Sequence, residues 1–115
     1  MSMPQRRRWE RVRRQLHARV AAASGNGSMT CSTLDICEGG LGLLAGTALD
    51  VGGEYRITVP DLTPEPMSGT VRWCTALGDV HSMGIELVAL TAAQAADLRA
   101  AVERWVAEDA DRSDD

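Results

Sequence analysis

Seven of the chain's twelve arginines fall within its first nineteen residues, at positions 6, 7, 8, 11, 13, 14 and 19, and there is no lysine. Only Arg7 and Arg11 stand four apart, so Arg7-Arg8-Trp9-Glu10-Arg11 holds a single R-x-x-x-R. A guanidinium grips phosphate oxygens two at a time, pairs with the O6/N7 edge of guanine and stacks on flat rings, three tasks an ammonium group cannot combine. A second cluster, Asp35-Ile36-Cys37-Glu38-Gly39-Gly40, contains D-x-C-x-x-G. Asp35 is an acceptor-only carboxylate, and Gly39 and Gly40 let the backbone approach a flat ligand with no Cβ in the way. Taken singly, the first cluster also reads as a solvated tail or a non-specific nucleic-acid contact, and the second as an Asx turn with hairpin glycines.

Other chemistry finds little support. His17 and His81 with Cys31, Cys37 and Cys74 lack the spacing of metal-ligand pairs, so no metal is expected and the thiols read as reduced and mostly buried. No G-x-S-x-G, P-loop or H-E-x-x-H occurs, and the glycine-rich run 39–46 lacks both the G-x-G-x-x-G spacing and a following helix. A catalytic apparatus is therefore not expected, and neither is a cofactor.

The elements that must position these clusters follow from patterning. At 115 residues, with 44% hydrophobic and 24% charged, the chain is one globular domain, and without phenylalanine its core is aliphatic. Residues 1–19 carry a net charge of +6 and the remainder −10, so an anionic partner meets the N-terminus. Residues 1–15 show no sustained apolar period and read as a basic arm, ordered by something else. From 16 to 90 about six short strands are separated by Gly25–Gly27, the glycines from 39 to 42, Gly52-Gly53, a proline-bearing loop and Gly78-Asp79, the spacing of a small all-β barrel or sandwich. Alternation in GTVRWCT puts Val71 and Trp73 on one face and Arg72 on the other, which predicts a core tryptophan and an Arg72 free to meet a ligand or the rim. A helix of the same domain spans 91–108: Thr91-x-x-Gln94 is a capping box, and Leu98, Val102 and Trp105 line one face. Residues 109–115 read as an acidic tail. No apolar run approaches a membrane span, no secretory signal opens the chain, and a cytoplasmic location is expected.

The two clusters, in this order and at this separation, resemble the PilZ domain family, receptors for the bacterial second messenger cyclic di-GMP that carry R-x-x-x-R before the first strand and [DN]-x-S-x-x-G after the second. LDICEGGLGL looks like the family's LDLSEGGL, and GTVRW at 69–73 and MGIELVAL at 83–90 resemble its last barrel strands. The resemblance implies an all-β fold, a six-stranded antiparallel β-barrel with a C-terminal α-helix. It further implies a cyclic di-GMP site built from Arg7, Arg11, Asp35, Cys37, Gly39 and Gly40. Arg6, just before the motif, bears on whether one ligand or a stacked pair is bound, and Arg8, Trp9 and Arg72 are secondary candidates. The implied mechanism is a receptor whose arm orders over the ligand and presents a new surface to an effector protein. Cys37 departs from the pattern, because a thiol hydrogen-bonds more poorly than the family's serine hydroxyl. That departure keeps a second reading open, an adaptor of the same family that no longer binds the ligand. A third reading is a non-specific nucleic-acid binder, which the acidic remainder of the chain disfavours.

Overall fold

The computed structural model describes residues 11–23 and 27–113, the last three by backbone alone. The elements run β1 (Val12–Arg13), β2 (His17–Ala22), β3 (Met29–Cys37), β4 (Gly40–Ala45), β5 (Glu54–Thr58), β6 (Met67–Leu77), β7 (Val80–Val88) and α1 (Ala92–Ser113). All pairings are antiparallel, in the order β3-β2-β5-β6-β7-β4, and β4 returns to pair with β3. Six strands thus close into a barrel, as the resemblance implied, and no edge is left among them.

Strand alternation supplies the interior. Ala18 and Val20 of β2, Leu41 and Leu43 of β4, Ile57 of β5, Met67 and Val71 of β6, and Met83 and Ile85 of β7 are all buried. Each β-branched or γ-branched side chain points inward while its chain neighbours face out, the period of two expected of a half-buried strand. The core is aliphatic, as the absence of phenylalanine requires.

β1 is an addition to the six. Asp35 and Ile36 of β3 pair with Arg13 and Val12 on one side and with Gly42 and Leu41 on the other, so β1 continues the line of β2 along the same edge of β3. Val12 is only 2% exposed. The chain joins the barrel here, four residues earlier than the boundary at Leu16 that periodicity predicts. One valine among arginines makes no period, and its burial follows only once β3 lies beside it. Between β1 and β2 the buried Thr33 hydroxyl accepts a hydrogen bond from the Leu16 N–H (2.9 Å) and donates one to the Arg14 carbonyl (2.6 Å). Those bonds satisfy backbone groups that the interrupted ladder would leave bare.

The helix begins where the capping box predicts. The Gln94 N–H donates to Thr91 Oγ1 and the Thr91 N–H donates to Gln94 Oε1, each at 3.0 Å. Leu98, Ala101, Val102 and Trp105 are buried against the barrel. At its far end the helix runs to Ser113 and takes in residues expected to form the tail. Arg14 is the reason this end is held: its guanidinium lies 5.2 Å from the Trp105 ring centroid and donates to Asp109 (3.2 Å) and Glu108 (3.3 Å).

Candidate ligand-binding site

Arg11, the described residue of the first cluster, meets the second cluster at one end of β3. Arg11 enters β1, and its Nη1 donates to Asp35 Oδ1 at 2.8 Å. Asp35 faces outward and its carboxylate lies over Gly42 of β4, where a Cβ would stand 2.6 Å from Oδ1. Cys37 ends β3, only 5% exposed, and the Glu38-Gly39 turn leads into β4. Beside this turn opens a cleft of about 410 Å³, lined by Arg11, Cys37, Gly39 and Gly40 from the motif side and by Arg72, Trp73, Gly84 and Glu86 from β6 and β7. Of the arginine motif only Arg11 is placed; Arg6, Arg7, Arg8 and Trp9 lie outside the described residues.

The two motif glycines do different work. A Cβ on Gly39 would meet no atom within 4 Å, so that position is open to a ligand. A Cβ on Gly40 would stand 2.6 Å from the Ile85 carbonyl oxygen. Gly40 thus serves the close approach of β4 to β7.

Across the cleft the structure departs from the sequence reading. Trp73, predicted to face the core, is 47% exposed. Val71 pairs with Ile85, but Trp73 pairs with Gly84, so the register of β6 slips by one and Arg72 is the extra residue of a β-bulge. A bulge turns the following side chain to the opposite face, which brings Arg72 and Trp73 together onto the cleft instead of onto opposite faces. The indole lies directly on Gly84, so closely that any Cβ there would collide with its Nε1, Cδ1 and Cε2 atoms. Arg72 donates from Nε and Nη2 to Glu86 Oε1. The sequence did carry one signal of this arrangement, Gly84 in the middle of an alternating strand, since an interior strand glycine marks a bulge or a close approach.

Read across the barrel wall, Trp73, Gly84, Gly42 and Asp35 form a row over β6, β7, β4 and β3. Strands spaced by about 4.8 Å put the outer two backbones roughly 14 Å apart. The two glycines of this row are the places where these outer groups fold down onto the wall, the indole onto Gly84 and the carboxylate onto Gly42. Laid on Gly84, the half-exposed indole offers a planar aromatic ligand a flat face to stack on. Among the described residues no three His, Cys, Asp or Glu side chains converge as metal ligands would, and no helix is long and apolar enough to cross a membrane. Cys31, whose thiol pKa burial pushes up, belongs to the barrel core and not to this cleft.

The PilZ domain profile matches residues 5–106 of the chain. The chain belongs to the PilZ domain family. Among curated proteins none matches the sequence significantly. Solved structures share the fold of this PilZ domain at low identity. The Bacillus subtilis inhibitor of motility MotI/DgrA is 18% identical with a TM-score of 0.66, over 84% of this chain and 49% of that one. The MrkH–c-di-GMP complex of K. pneumonia is 9% identical with a TM-score of 0.75, over 90% of this chain and 53% of that one. The PilZ domain of YcgR from Escherichia coli, solved with c-di-GMP, is 12% identical with a TM-score of 0.69, over 91% of this chain and 95% of that one. This PilZ domain spans about half the length of MotI and MrkH and nearly all of the YcgR domain.

Proposed function

We propose that this PilZ domain is a receptor for cyclic di-GMP, acting in the cytoplasm on an effector protein and catalysing no reaction. The observation that carries the reading is the Arg11–Asp35 ion pair, which joins the arginine motif to D-x-C-x-x-G beside a cleft that Gly39 leaves open and Trp73 walls. MrkH and YcgR, whose structures contain c-di-GMP, share the fold and add support.

The residues divide the ligand's chemistry between them. Arg7 and Arg11 meet the phosphates, where charge-assisted hydrogen bonds are short and strong, and Arg6 and Arg8 add positive charge at the same edge. Asp35, acceptor-only, takes N–H bonds from a guanine, and the exposed indole of Trp73 offers a stacking face for a base. Gly39 admits the ligand beside Cys37, while Trp9 travels with the arm. Ligand contacts with the arm would order it over the barrel, and the altered surface is what the effector meets. Free Cys31, Cys37 and Cys74 suit a reducing compartment.

Isothermal titration with cyclic di-GMP, using cyclic di-AMP and GTP as controls at near-physiological salt, tests the reading. The expected result is selective binding, micromolar or tighter, that falls by at least about 100-fold when Arg7 and Arg11 are both replaced by alanine, each lost charge-assisted bond costing about 1.5–3 kcal/mol. A ratio near two ligands per chain would support the role given to Arg6. Unchanged affinity in the double variant would remove the arginine clasp. No heat with the wild type, together with an unchanged melting temperature at excess ligand, would leave the chain an adaptor that does not bind cyclic di-GMP.

A further inference from the structure

Glu86 is an odd residue to find in a cleft meant for an anion. It lines the cavity from β7, outward and half exposed, with Gly40 of β4 as one lateral neighbour and Thr70 of β6 as the other. A carboxylate facing the two phosphates of a cyclic dinucleotide would repel them and weaken binding. Its presence makes sense if it faces the other part of the ligand.

Three features give it that part. Gly84 and Glu86 lie two apart on β7, on the same outward face, so their Cα atoms are separated by about 6.7 Å along the strand. A base stacked on the Trp73 indole, which itself covers Gly84, would therefore bring one edge within hydrogen-bond reach of the Glu86 carboxylate. Second, Arg72 occupies only Oε1, through its Nε and Nη2, and so steers the carboxylate while Oε2 has no partner among the described residues. Third, the same bulge delivers both groups, because Arg72 is the extra residue and Trp73 the one it turns outward.

We propose that Glu86, held in place by Arg72, reads the Watson–Crick edge of a guanine stacked on Trp73 and sets the preference for guanine in this cleft. The inference rests on the cyclic di-GMP reading above and assigns the base selectivity of that site. Guanine presents N1–H and N2–H side by side, two donors for one carboxylate, with O6 next to them for the Arg72 Nη1 that Glu86 leaves unused. Adenine would turn a lone pair on N1 toward the carboxylate and an amino group toward the guanidinium, and both contacts are repulsive. Glu86 is thus a specificity-determining residue, distinct from the arginines that supply affinity for phosphate.

The test uses the intact chain and two ligands that differ by one group, cyclic di-GMP and its inosine counterpart, which lacks only the 2-amino group. For the wild type we expect the inosine ligand to bind about ten-fold more weakly, the loss typical of a broken base-edge contact. In Glu86→Gln and in Glu86→Ala that ratio should shrink by at least about three-fold, what is left belonging to the guanine at Asp35, with cyclic di-GMP weakened and the unliganded melting temperature unchanged. The inference is overturned if either variant keeps the wild-type ratio. It is also overturned if both ligands tighten equally, since Glu86 would then merely screen Arg72 from phosphate. Each of these outcomes leaves the cyclic di-GMP reading standing, whereas a wild type that binds neither ligand removes both.

Discussion

Cys37 stands where the family pattern has serine, and its surroundings define what that change does. The side chain is 5% exposed, lines the cleft and ends the strand that carries Asp35. A thiol there packs well but offers a ligand only a weak donor and a weak acceptor. Cys37→Ser is expected to tighten cyclic di-GMP binding by about three- to ten-fold, the worth of one ordinary hydrogen bond. Burying a hydroxyl in place of sulfur should lower unliganded stability by about 1 kcal/mol, recovered when ligand engages it. Titration and thermal melts of the two proteins check both signs, and equal affinity would mean that no ligand atom lies within reach of position 37. At this scale the sequence was informative through the family resemblance and not through spacing alone, which left the two clusters a tail and a turn; the Arg11–Asp35 pair itself was not foreseen. It was less informative about purpose: Gly40, expected to admit a ligand, is needed because the Ile85 carbonyl leaves no room for a Cβ.

The strands and helix were legible to the extent that their periods are regular. Six strands and a capped helix follow from alternation, turn glycines and the Thr91–Gln94 box, each of which is a local signal. The β6 bulge is the exception, because inserting one residue leaves composition untouched while inverting every facing beyond it. GTVRWCT alternates on paper, yet Val71 points inward and Trp73 outward. That single slip builds half of the candidate site, and its integrity can be probed from beneath the indole. Gly84→Ala would drive a Cβ into the indole, and since Trp73 is 47% exposed the ring can swing out at little cost to the core. Cyclic di-GMP affinity should fall by roughly ten-fold or more, the worth of a base-stacking contact, with stability changed by less than about 1 kcal/mol. Titration and chemical denaturation separate these two quantities. A variant that binds like the wild type would show that Trp73 is no part of the ligand's surroundings.

For the molecule as a whole, the charge asymmetry was readable, but the place of its acids was not. Glu108 looked like the end of the helix and Asp109 like the start of a solvated tail, whereas the helix runs on through both and sets them beside Arg14, a partner 94 and 95 residues away that no local pattern can indicate. This contact gives residues 11–14 two attachments: Arg11 reaches Asp35 at the cleft, and Arg14 reaches Trp105, Glu108 and Asp109 at the end of α1. Only Val12 and Arg13 stand between them, and both are fixed in β1 against β3. A ligand that orders Arg11 must therefore act on a short, laddered segment whose other end grips the helix, which is how a binding event in the cleft can reach a distant surface. Hydrogen exchange on the full chain tests the connection. Saturating cyclic di-GMP should slow amide exchange in residues 105–109 of the wild type. Arg14→Ala, which removes a ring contact and two partly exposed ion pairs worth about 1 kcal/mol together, should speed exchange there about five-fold without ligand. The ligand-induced slowing should disappear in that variant while affinity changes by no more than a few-fold, because Arg14 does not line the cleft. If the variant keeps the slowing, or the wild type never displays it, the helix end is not coupled to the site through Arg14, and the output surface must lie in the arm itself.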